Sequence, residues 1–168
     1  MKRWGIILLC VLLMGTFVLF AMGSSSDESG DGDQGTGKVD VDSSADDNTT
    51  LGDYTVEIAS CRLAKNYDKK PVVIVKYVFT NNSDEAQAFY LAFNEKVYQD
   101  GVGLNEAYVL EESAKYSADN QTKSIKPGAT LDVEVAYILN DTETDIEVEV
   151  EELFSFNSKI ISKKFTIK

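Results

Sequence analysis

Asp132 and Glu134 alternate with apolar residues, and Glu147, Glu149 and Glu151 do the same a few residues further on. In an extended chain, residues two apart share a face, so each set makes a row of negative charge. The connection 140–144 is short enough for a hairpin, which would set the two rows side by side on the solvent face. Like charges directly opposite one another destabilise a sheet. Three agents could offset that: lysines of the last strand (Lys159, Lys163, Lys164), a bound Ca²⁺, or a basic partner. Calcium takes about 6–8 oxygens, on which carboxylates spaced along flat strands converge poorly. These five acids form the candidate interaction face.

The other residues with chemical potential lead less far. There is no histidine, which excludes Ser–His–Asp and Cys–His nucleophiles and every His-ligated metal. Cys61 is the only cysteine outside the N-terminal apolar stretch, so no disulfide or cysteine zinc site forms beyond it. By its phase with Leu63 it reads as a buried, inert thiol. Asp31, Asp33 and Gly35 imitate the opening of an EF-hand loop, but Asp42 stands where a bidentate Glu belongs. Phe89, Tyr90, Phe93, Tyr98, Tyr108 and Tyr116 could stack on a sugar, although sandwich edges carry such aromatics routinely. Asn48, Asn81, Asn120 and Asn140 open N-x-S/T sequons and read as polar turn residues. No pair among the many carboxylates is singled out for glycoside hydrolysis. The expectation is a protein that is not an enzyme and carries no cofactor.

Three segments must position these residues. Lys2 and Arg3 precede a charge-free apolar run, 4–22, that ends at small residues Ala21 and Gly23. Residues 1–23 therefore read as a hydrophobic helix, either a cleaved signal peptide or a retained anchor. Both alternatives put the rest of the chain outside the membrane. Residues 24–50 hold eight acids and one base among Gly and Ser, the composition of a disordered acidic linker.

Residues 51–168 suffice for one domain, and their periodicity is that of β-strands. Val56 and Ile58 alternate, then the phase slips at Ala59-Ser60, which predicts a β-bulge. The stretch 72–79 is apolar on both faces except Lys76, as in a central, covered strand. Phe89, Leu91 and Phe93 alternate, as do the runs 131–139 and 146–150, and a last strand spans 159–167. Asp100-Gly101 predicts a hairpin and Lys126-Pro127-Gly128 a type II turn. Only 103–119 could hold a helical turn. About seven short strands indicate an all-β sandwich or barrel. The net charge of −12 disfavours nucleic acid and anionic lipid. Any membrane contact is left to the N-terminal segment.

The strings LGDYTVEI, PVVIVKYVFTNNSDEA, VYQDGVGL and IKPGATLDVEVAYIL, in that order, resemble the bacterial domain-of-unknown-function family 5067. The resemblance covers 51–168 and implies an immunoglobulin-like antiparallel β-sandwich of Gram-positive secreted proteins and lipoproteins. It implies no catalytic residues. Met22 stands where a lipobox would place its cysteine. The expected function is an extracellular module binding a protein or glycan at the cell envelope. The alternatives are a structural spacer without a ligand and, more remotely, a small hydrolase or inhibitor.

Overall fold

Strand propensity and two-faced burial decide the architecture, which begins from the most apolar segment. In the computed structural model, Pro71–Asn81 (β4) lies in the middle of a four-stranded antiparallel sheet. Its neighbours are Tyr54–Lys65 (β3) and Thr130–Ile138 (β7), with Thr50–Leu51 (β2) outside β3. The structure describes residues 39–40, 49–108, 110, 112–156 and 159–167. The segment 1–23 with its cleavage region, and the Asp31, Asp33 and Asp42 motif, lie outside the described residues. Among the described residues no helix is long and apolar enough to cross a membrane.

The second sheet orders Val39–Asp40 (β1), Ile160–Ile167 (β9), Ile146–Glu152 (β8), Phe93–Gln99 (β5) and Val102–Gly103 (β6). All of its pairings are antiparallel. Val73, Val75, Tyr77 and Phe79 of β4 share one buried cluster with Val97, Val148, Val150 and Phe165 of the second sheet. The main core therefore lies between the sheets, as in an all-β sandwich. The first strand, β1, falls within the segment read as linker, where Val39 pairs with Ile167 and Asp40 with Thr166.

The other face of β4 is buried as well. Val72, Ile74 and Ala136 meet Ala107, Leu110, Ala114 and Tyr116 of the long connection after β6. That cover explains why the run 72–79 has almost no polar side. Arg62 of β3 holds the cover down, donating to the carbonyls of Ala114 (3.1 Å) and Lys115 (3.4 Å).

Several local expectations match. The register of β3 against β4 shifts between Ile58 and Ser60. The bulge carbonyls of Ile58 and Ala59 accept the Lys163 ammonium at 2.9 and 3.2 Å. Asp100 and Gly101 adopt φ of 51° and 73° in the β5–β6 hairpin, and Gly128 has φ 77° where Ala129 N–H donates to Lys126 O.

One element differs. Residues Phe89–Ala92 form a helical turn (α1) rather than a strand. A strand would have buried Leu91 and turned Ala88 and Ala92 out. The turn buries Ala88, Phe89, Ala92 and Phe93 together and leaves Tyr90 and Leu91 half exposed. Phe89 and Phe93 then pack on Tyr77, Phe79 and Tyr54 with ring centroids 5.2–6.0 Å apart, an arrangement favourable beyond area burial. A second short helix, Asp119–Thr122 (α2), packs near β7.

Candidate functional site

The expected juxtaposition of the two acidic rows does not occur. Asp132 and Glu134 lie on β7, which pairs with β4, whereas Glu147, Glu149 and Glu151 lie on β8, which pairs with β5 and β9 in the other sheet. The connection between β7 and β8 crosses from sheet to sheet instead of closing a hairpin. Gln99 holds it there: its amide donates to the carbonyls of Asp141 and Thr144 and accepts from the N–H groups of Asn140 and Asp141.

Each row is offset within its own sheet. Lys76 meets Asp132 at 2.7 Å, Arg62 meets Glu134 at 3.1 Å, Lys96 meets Glu151 at 2.9 Å, and Lys164 meets Glu147 at 3.6 Å. Glu149 stands opposite Lys96 and Ser162, without an ion pair among the described residues. Of the three lysines expected to answer the rows, only Lys164 does. Lys163 turns to the bulge, and Lys159 donates to Thr50 O at 2.6 Å. The rows are therefore neutralised by basic side chains, but mainly by Arg62 of β3, Lys76 of β4 and Lys96 of β5.

Cys61 is half-buried against the core, and burial pushes its thiol up to about 12 against a small opposing pull from Lys163. Such a thiol is a poor nucleophile.

The structure draws attention to a place the sequence did not. Inward positions of β5 are Phe93, Glu95, Val97 and Gln99, so an acid sits in the apolar phase. Gln99 is satisfied by the hydrogen bonds described above, and buried Asn81 donates to Glu85 O and Ile125 O while accepting from Ser83. Glu95 has no such set and no basic partner among the described residues. It sits where β6 has ended and the chain crosses the open edge of the sandwich. Gly103 still pairs with Tyr98 of β5, whereas Ala107 N–H already donates to Ala136 O of β7 at 2.7 Å. Glu106, bridged to Tyr137 in that crossing, faces the same space.

The result is an open cleft of about 340 Å³ lined by Glu95, Tyr98, Leu104, Glu106, Tyr108 and Tyr137. A second cleft, of about 370 Å³, shares Glu95 and Glu106 with it. Burial pushes the Glu95 carboxyl up to about 7, the Glu106 charge adding and a bond from its own backbone N–H opposing. Tyr77 and Tyr137, 0% and 2% exposed, carry the only buried side-chain hydroxyls without a hydrogen-bond partner among the described residues. The two phenols lie together in the core and influence each other, and both feel the charges of Glu95 and Glu106. Of the aromatics considered for stacking, Phe89 and Phe93 are core, while Tyr98 and Tyr108 line this cleft. Among the described residues no three acidic or thiol groups are placed to hold a metal ion.

A two-sheet all-β domain with an acidic edge cleft is the class of protein that these features define. The chain belongs to the family described as Domain of unknown function (DUF5067), whose model matches residues 33–152. That match begins inside the segment read as linker, as β1 does. A solved structure of a proposed lipoprotein from Staphylococcus aureus subsp. aureus NCTC 8325 is similar, with a TM-score of 0.55 and 20% identity over 77% of this chain and 93% of that one. A protein from Enterococcus faecalis solved by NMR is similar at TM-score 0.55 and 21% identity, covering 74% and 93%. No curated protein matches the sequence.

Proposed function

We propose that this chain is an extracellular, non-enzymatic, immunoglobulin-like module that binds a protein or glycan at the cell envelope. The observation that carries the reading is the open edge cleft, where Glu95 stands half-buried in the apolar phase of β5 with no basic partner among the described residues, while Gln99 and Asn81 are fully bonded. Groups kept open in this way are the usual means by which a pocket fixes a ligand's orientation.

The immunoglobulin-like description draws support from strand order. The arrangement β3-β4-β7 against β9-β8-β5 corresponds to strands A-B-E against G-F-C of that fold, with β6 as an added C′ strand. The apolar stretch 4–22 after Lys2 and Arg3 supports an envelope address. So does the lipoprotein description of one solved relative. The lack of histidine argues for binding over nucleophilic catalysis.

Incubating the purified protein with isolated envelopes of the producing cells tests the proposal. Saturable retention that excess unlabelled protein competes away is the expected outcome. Retention that rises linearly with concentration would leave the spacer role as the better account.

A further inference from the structure

Large apolar side chains are left in solvent unevenly. Nine are exposed among the described residues, and six of these belong to α1 and to the β8–β9 connection with its foot: Tyr90, Leu91, Leu153, Phe154, Phe156 and Ile160. Leu153 N–H donates to Ala92 O at 2.9 Å, which ties the two elements together at one end of the sandwich. Phe154 and Phe156 are 82% and 106% exposed, so both rings stand clear of their own chain. With about 150–250 Å² for a whole aromatic side chain, the six present roughly 700 Å². That exceeds the about 300–600 Å² of the largest apolar patch on a typical monomer.

The same end also offers a place for a ring. Tyr90, Phe93 and Leu153 wall the open cleft of about 370 Å³, next to Phe154 in the chain. A patch that carries both protruding rings and an apolar-walled cleft is complementary to itself, the condition for an isologous two-fold contact. Two such patches face to face bury up to roughly 1,400 Å², within the range of about 1,200–2,000 Å² for stable interfaces. Charge selects the same face. At a net charge of −12, two copies repel across most of their surface, yet Leu153-Phe154-Ser155-Phe156 carries no charge. The same net charge disfavours an anionic bilayer as the cover. The N-terminal side of the chain joins the sandwich elsewhere. Val39 pairs with Ile167, at the opposite end of β9 from Ile160.

We propose that α1 and the β8–β9 connection form a self-association face whose partner is a second copy of this chain. Phe154 of each copy enters the cleft walled by Tyr90, Phe93 and Leu153 of the other, and Phe156, Leu91 and Ile160 close the contact around it. The cleft that carries the envelope reading opens further along β5, beside Tyr98, Leu104 and Tyr108, so the two proposals fail separately. An apolar contact between like-charged copies strengthens as salt screens their repulsion.

The test is photocross-linking on washed cells producing the full chain with Phe154 replaced by p-benzoylphenylalanine. A covalent dimer on denaturing gels is expected, its cross-linked peptide containing Tyr90, Phe93 or Leu153 of the second copy. The yield should rise at least twofold from 20 to 300 mM sodium chloride. Phe156→Ser, a change at a fully exposed side chain, should lower it at least fivefold without altering the far-ultraviolet spectrum. The same probe in place of Tyr67, exposed on the β3–β4 turn, should give no dimer. Absence of a dimer from position 154 overturns the assignment, as do equal yields from positions 154 and 67 or a yield indifferent to Phe156→Ser. Adducts with lipid or with a different protein overturn it too, and mark a bilayer or a foreign partner as what covers the patch.

Discussion

Replacing Glu95 by glutamine should make the protein more stable at alkaline pH and change little in acid. Burial raises the carboxyl from 4.5 to about 7, so the folded state binds more protons than the unfolded chain between those values. With the native state the better proton binder, unfolding free energy falls as pH rises through that window and stays low above it. At 1.36 kcal/mol per pH unit, a displacement of about 2.5 units corresponds to a loss of about 3 kcal/mol above pH 7. The side chain is only half-buried, and water reaching it reduces the expected gain from Glu95→Gln to about 1–3 kcal/mol. For a domain of this size that moves a urea midpoint by roughly 1 M. Urea melts of parent and variant at pH 4.5, 6, 7.5 and 8.5, followed by far-ultraviolet circular dichroism, give the two curves. They should coincide at pH 4.5 and separate progressively to pH 7.5. Parallel curves, or a variant that is weaker at pH 8.5, would refute the burial of an uncompensated carboxylate.

Gln99→Leu removes a side chain that holds two carbonyls and two N–H groups of the β7–β8 connection, and should cost about 2–4 kcal/mol in the same melts. Lys163→Met leaves the bulge carbonyls of Ile58 and Ala59 without their ammonium and should cost about 1–2 kcal/mol, with the far-ultraviolet spectrum retained. Native Cys61 should react with iodoacetamide at pH 8 roughly a thousandfold more slowly than in urea, since its thiol lies near 12 instead of 9. Equal rates would place it in a solvated site.

Local signals of period and turn chemistry were legible because they act between near neighbours. The slip at Ala59-Ser60, the Asp100-Gly101 hairpin and the Pro127-Gly128 turn depend on backbone sterics within a few residues. The apolar outer face of β4 announced a cover without naming it, because the cover comes from 107–116 across the chain. Phe89, Leu91 and Phe93 misled because apolar alternation over five residues also fits one turn of helix with Ala88 and Ala92 as the small inward residues. The acidic rows misled at a longer range. Their strands are adjacent in sequence, but β7 joins β4 and β8 joins β5, a choice that belongs to the whole core. Glu95 did leave a trace. Between Phe93 and Val97, an acid in the inward phase breaks the alternation, a signal that only the pairing of β5 with β8 sets against the core.

The pairing of β1 with β9 has a mechanical consequence. Force arriving through the chain from its N-terminal side meets Val39 and Asp40 first, and only two register pairs, to Ile167 and Thr166, resist it. Among the described residues the next attachment is Thr49, whose carbonyl accepts from Val56 N–H, followed by Thr50 paired to Thr55. Losing those two pairs leaves the twelve-residue β3 and its neighbours intact. The short strand is thus placed as a mechanical fuse: a sudden tug is spent on two weak pairs before any strain reaches the cleft.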